Sequence, residues 1–134
     1  MRWIAGALSG LAFTSCALAV AAEPRQGEVY FFETCAGCHG PGALGDGPTA
    51  ALLSVPVPDL TRIARQNDGV FDPARVIRMI DGRDGLAAHG GPMPMFGGLL
   101  TGPSVVIDGP DGSPISTTAP ILSIVDWLET IQEE

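Results

Sequence analysis

The sequence predicts one small, mainly α-helical domain, and three observations predict it. The chain has only 134 residues with 46% apolar content. Apolar side chains recur at helical spacing in two well-separated segments, and the stretches between them are rich in Pro and Gly and read as loops and short helices. This length allows at most one domain, and three cysteines are too few for a disulfide-stapled miniprotein. Charged residues make up 16%, all seven basic residues are Arg, and 15 carboxylates leave a formal charge of −8. The pI is about 4.5. Nucleic-acid binding needs a basic face, so that class is excluded, and cationic partners are favoured over acidic ones.

The first segment does not read as part of the fold. Arg2 is followed by an uninterrupted small and apolar run from Trp3 to Ala22. A positive start, an apolar middle and a small-residue end make residues 1–22 a secretory signal peptide, cut before Ala22 or before Glu23. A retained membrane anchor is the first alternative, since the run approaches the length of a span. Lipidation at Cys16 is the second, against which stand the poor match of Phe13-Thr14-Ser15-Cys16 to a lipobox and the apolar run beyond it. Residues 23–134 then form the mature domain, with six Arg against the same 15 carboxylates. A domain this small buries little surface, so an internal cofactor would supply a useful part of its core.

Gln26 to Cys38 is predicted as the first helix, with Gly27, Phe31 and Cys35 at i, i+4 and i+8 on one face. It carries Cys35-Ala36-Gly37-Cys38-His39, and Cys-x-x-Cys-His is the attachment signal for c-type haem. Three residues are nearly one helical turn, which puts both sulfurs on one face to bond the two vinyl groups, and the adjacent imidazole supplies an axial iron ligand. Zinc would need about four ligands, and only His39 and His89 are present to join the two cysteines. A thioredoxin-like redox pair would sit within a βαβ pattern that the sequence lacks.

Gly40 to Pro48 follows as a turn-rich loop; it lacks the Lys and the flanking strand of a phosphate-binding loop. Asp59 is read as the N-cap of a short helix over Thr61 to Gln66. Pro73 to Asp81 is a longer helix, with Asp72 as cap, Pro73 at its first position, Val76, Ile77 and Ile80 facing inward and Gly82 as its stop. Arg62, Arg65, Arg75, Arg78 and Arg83 fall in this region, available either to haem propionates or to a solvated face. Ala88 to Gly98 is a Gly/Pro loop offering Met93, Met95 and His89 as a second axial ligand. Within Leu99 to Thr118, Asp-Gly between apolar residues predicts a small β-hairpin. Pro120 to Gln132 closes the chain as a helix with Ile121, Ile124, Val125, Leu128 and Ile131 at helical spacing.

Together, Cys35 to His39 and Met93-Pro94-Met95-Phe96-Gly97 resemble a class I (monohaem) cytochrome c, whose distal loop reads Met-Pro-x-aromatic-Gly. The resemblance implies a cytochrome c-like helical fold wrapped around one covalent haem c. It implies thioethers at Cys35 and Cys38, His39 as proximal ligand and Met93 as distal ligand, with Met95 second and His89 or an open position as further alternatives. It also implies a Pro carbonyl accepting the proximal imidazole Nδ1–H, and Pro48 is the matching position with Pro41 as competitor. The first and last helices of such proteins cross closely, which Gly27 and Phe31 match on one side and Ile124 and Trp127 on the other.

The function expected from this reading is one-electron transfer without catalysis. Two saturated axial positions minimise rearrangement at the iron and leave no site for substrate. The leader together with the resemblance suggests a bacterial periplasm, and the acidic balance suggests redox partners with basic docking surfaces; a monomer is expected, touching membranes only through those partners or through an uncleaved leader. The principal rival is a haem c subunit relaying electrons inside a larger oxidoreductase; a ligand-binding or peroxidatic haem protein is the third.

Overall fold

The first helix begins at Pro24, where a computed structural model of the chain begins its description; residues 24–82 and 93–133 are described. Residues 1–22, expected from the sequence to be a signal peptide and including Cys16, lie outside the described residues, as do Arg83 and His89. Helix α1 spans Pro24–Thr34 and α2 spans Ala36–His39, so the single helix expected over Gln26 to Cys38 is interrupted at Cys35. The backbone ladder nevertheless continues, with Cys35 N–H donating to Phe31 O at 2.8 Å and His39 N–H to Cys35 O at 2.9 Å. The hydroxyl of Thr34 donates to Tyr30 O at 2.6 Å, a back-bond of the kind that bends a helix. Gly27, Phe31 and Cys35 are all buried, as their common face requires.

Downstream of a loop, Asp59 caps a 3₁₀ turn at Leu60–Arg62, accepting from Thr61 N–H at 3.0 Å. A second 3₁₀ turn covers Arg65–Asn67, so the short helix expected over Thr61 to Gln66 is two turns with Ile63 and Ala64 between them. Helix α3 spans Pro73–Asp81 and begins and ends as the sequence predicts. Asp72 accepts from Arg75 N–H at 3.1 Å, and Gly82 stops the helix with φ 67° while its N–H bonds Arg78 O. Ala74, Val76, Ile77 and Ile80 form its buried face.

Strands β1 (Ser104–Asp108) and β2 (Pro114–Thr118) pair antiparallel, Val106 opposite Ser116. Val105, Ile107, Ile115 and Thr117 turn toward the protein, and Ser104, Val106 and Ser116 turn outward, the alternation of a half-covered hairpin. The expected Asp-Gly connection is a five-residue loop over 109–113, closed by Gly109 N–H to Ser113 O at 2.7 Å. Thr118 ends the hairpin and caps α4, Ala119–Thr130. This helix starts one residue before the expected Pro120 and stops two before Gln132.

Helices α1 and α4 cross at Gly27. A Cβ there would collide with the carbonyl oxygen of Ser123 and come within 2.8 Å of Trp127 Cβ, so only Gly permits this approach. Phe31 then packs against Trp127 with ring centroids 4.6 Å apart and the ring planes tilted by 43°. Phe31, Ile77, Ile121, Ile124 and Val125 are the innermost side chains, which places the core between α1, α3 and α4. No helix among the described residues is long and apolar enough to cross a membrane.

Candidate functional site

The site is built from the end of α1 through α2. Cys35 is buried at 6% exposure and Cys38 is half-buried, and both are free thiols. Burial pushes the Cys35 thiol above its ordinary pKa; the neighbouring Thr34 hydroxyl opposes this in part and the nearby Cys38 adds to it. Each sulfur has a threonine beside it: Thr34 Oγ1 lies 3.2 Å from Cys35 Sγ and Thr49 Oγ1 lies 3.2 Å from Cys38 Sγ. Both hydroxyl protons are spent on main-chain carbonyls, Thr34 on Tyr30 O and Thr49 on Gly37 O at 2.6 Å each. The thiols are therefore the donors in these contacts, because a hydroxyl has one proton to give.

Thr49 does more than accept from Cys38. Its N–H also donates to Gly37 O at 2.9 Å, while Gly47 N–H donates to Cys38 O at 3.0 Å. These bonds fold the loop after His39 back onto α2. A Cβ at Gly47 would sit 2.5 Å from the Cys38 and Gly37 carbonyl oxygens, so the loop can close this tightly only with Gly there.

His39 is 8% exposed and packs near Phe31, ring centroids 6.4 Å apart. Its Nδ1 lies 3.4 Å from the carbonyl oxygen of Pro58. A carbonyl can only accept, so Nδ1 carries the proton and Nε2 keeps its lone pair. Burial lowers the imidazole pKa, and the Pro58 bond opposes this in part, which favours the neutral ring that a metal needs. The acceptor expected from the sequence was Pro48, with Pro41 as competitor; the structure corrects both. Pro41 and Pro48 are exposed, and Thr49 ties its stretch to the α2 main chain and away from the ring. Pro58 precedes the Asp59 cap, so its carbonyl lies outside the helical turn that follows and is free to accept. Its signal was the run Val55-Pro56-Val57-Pro58-Asp59, extended backbone leading into a capped turn.

On the far side of the sequence, Met93 is half-buried and Met95 is 51% exposed. Their loop is pinned to the end of α3 by Phe96 N–H to Ile80 O at 3.0 Å and Gly97 N–H to Asp81 O at 3.2 Å. Met95 lies against Gly82, where a Cβ would come within 2.6 Å of Met95 Cγ. Of the arginines, Arg62 pairs with Asp59 at 3.7 Å and Glu133 at 3.4 Å, while Arg65, Arg75 and Arg78 are exposed.

These residues fit a c-type haem. Two reduced thiols flank one turn of helix next to a buried neutral imidazole, and among the described residues no hydrogen bond engages its Nε2. Among the described residues no group of three or more His, Cys, Asp or Glu could hold a metal ion, so a cluster bound by protein side chains alone has no support there.

The sequence pattern of one family, described as Cytochrome c, matches residues 25–103. No curated protein and no solved structure matches the chain. The matched stretch runs from α1 to the residue before β1, so it includes both cysteines, His39 and the methionine loop and leaves out the hairpin and α4.

Proposed function

The chain belongs to the cytochrome c family, and on that premise we propose that it is an exported bacterial monohaem cytochrome of class I whose iron is held by His39 and Met93. Family membership implies covalently attached haem c and haem-based electron transfer. The haem, when bound, supplies a one-electron couple between ferric and ferrous iron. Cys35 and Cys38 would anchor it through thioethers. His39 would offer Nε2, with Nδ1–H held by Pro58 O, an arrangement that orients the ring and strengthens its donation.

The observation that carries this reading is the pairing of that held imidazole with two free thiols in one turn. Met93 is preferred over Met95 because Met95 packs on Gly82 at the end of α3. With His39 and Met93 both holding it, the iron would have no open position for substrate, and the buried side chains of α1, α3 and α4 keep water from the core. The acidic balance of the chain points to redox partners with basic docking surfaces.

The test is the optical spectrum of the haem-loaded protein, wild type and Met93→Ala. The weak far-red band of ferric His/Met iron is expected in the wild type and lost in the variant. A wild type without that band, or a band that survives the substitution, overturns Met93 and moves Met95, His89 or an open position ahead.

A further inference from the structure

Beyond Thr130 the chain turns back onto the body of the protein. Ile131 N–H bonds Leu128 O at 3.3 Å and Gln132 N–H bonds Glu129 O at 3.4 Å, which directs Gln132 toward residues 60–64. Its side-chain amide then makes three hydrogen bonds. Oε1 accepts from Ala64 N–H at 2.9 Å, and Nε2 donates to Leu60 O at 2.9 Å and to Leu128 O at 2.7 Å. The amide's orientation follows from its partners, since a flip would set oxygen against two carbonyls and N–H against N–H. Glu133 N–H adds a main-chain bond to Thr61 O at 2.8 Å.

The segment gripped in this way contains the approach to Pro58. Leu60 N–H donates to Ala43 O at 2.8 Å, and the backbone at Gly45 sits so close to Pro58 that a Cβ there would lie 3.1 Å from the Pro58 oxygen. One side of the segment is thus held by the loop after His39 and the other by Gln132, across 72 positions of sequence. Pro58 has no N–H with which to anchor itself, so the placement of its carbonyl depends on what holds its neighbours.

We infer that Gln132 is a positioning residue for His39: by clamping Leu60 and Ala64 to the end of α4, it sets the carbonyl of Pro58 where the imidazole Nδ1–H can reach it. The inference rests on the proposed role of His39 as iron ligand and names a residue outside the stretch that matches the family. The Nδ1 to Pro58 bond is long at 3.4 Å, so a small retreat of the segment breaks it. With the haem bound, the ring would then donate less to iron, which would favour the ferrous state and raise the reduction potential.

The experiment uses the haem-loaded full chain as wild type, Gln132→Met, Gln132→Glu and Arg62→Gln. It reads the midpoint potential and, by NMR of the ferrous form, solvent exchange of the His39 Nδ1 proton. Gln132→Met keeps the length and loses all three bonds. Its potential should rise, and exchange should quicken roughly tenfold, the factor expected when hydrogen bonds holding a segment closed are lost. Gln132→Glu keeps an acceptor for Ala64 and loses both donors, and should move the same way, which preserves the test if the Met variant does not fold. Arg62→Gln breaks the ion pairs with the half-buried Asp59 and the exposed Glu133 while leaving all three Gln132 bonds in place, and should change neither readout. Wild-type potential and exchange in both Gln132 variants overturn the inference, whatever happens to their melting temperatures. Failure of His39 ligation would show separately, as a wild-type ferrous spectrum lacking the strongly shifted signals of an iron-bound imidazole; the exchange comparison does not need that ligation and scores the clamp by itself.

Discussion

Gly27 and Phe31 show how much a single position can decide. Gly27 has no side chain to pack, yet the carbonyl of Ser123 occupies the place of its missing Cβ. Gly27→Ala should therefore cost at least the roughly 1–3 kcal/mol of overpacking, because the obstruction is backbone and cannot rotate away. Phe31 is 1% exposed and touches both Trp127 and His39. Phe31→Ala should cost about 3–5 kcal/mol, as other large core truncations do. Urea unfolding of the haem-loaded variants measures both, and a Gly27→Ala chain as stable as wild type would mean that α1 and α4 do not meet in this way. At the candidate site the residue scale was only half legible. Cys35, Cys38 and His39 announce themselves by spacing, whereas Pro58 does not, because what qualifies it is a main-chain oxygen brought close by folding.

Among the elements, α4 carries a charge that works against it. Asp126 lies near the C-terminal end of this helix, half-buried, and its pKa is raised first by burial and then by the charge of Glu129. A carboxylate there also opposes the helix dipole. A folded-state pKa above the unfolded value means that the folded chain binds the proton more tightly. The favourable contribution is complete below the unfolded pKa and disappears as pH rises through the raised folded pKa. Asp126→Asn should accordingly stabilise the fold at pH 7, by well under about 1 kcal/mol given its exposure, seen as a raised melting temperature, and make no gain near pH 3 where the wild type is already protonated. A gain that is equal at both pH values would assign the effect to something other than charge. The hairpin before α4 illustrates what spacing can and cannot convey. Asp-Gly between apolar residues announced the hairpin, but the five-residue loop and the hand-over from Thr118 to the α4 cap depend on how β2 meets the helix.

For the molecule as a whole, charge is the property with the widest reach. With a formal charge of −8 and exposed carboxylates at Glu28, Glu33 and Asp46 on the elements bordering the haem motif, electron exchange with a basic partner should slow steadily as ionic strength rises beyond physiological. Stopped-flow rates with a cationic and an anionic small-molecule oxidant, each across a salt series, supply the check. The cationic reagent should slow with salt and the anionic one should quicken; rates indifferent to salt would remove charge from the account of partner choice.

What the sequence determined by itself depends on neighbours along the chain. The Cys-x-x-Cys-His spacing, the Asp72 and Asp59 caps, the Gly82 stop, the amphipathic faces of α1, α3 and α4 and the acidic balance are all local, and physical chemistry acts on them within a few residues. The tertiary structure alone decided which carbonyl receives His39, that Thr49 returns to hold Gly37 and Cys38, and that Gln132 reaches Leu60 and Ala64. These contacts join positions that are 11 to 72 residues apart, and most of them end on main-chain atoms that every residue possesses. No side-chain pattern marks them, so they became visible only once the chain had closed on itself.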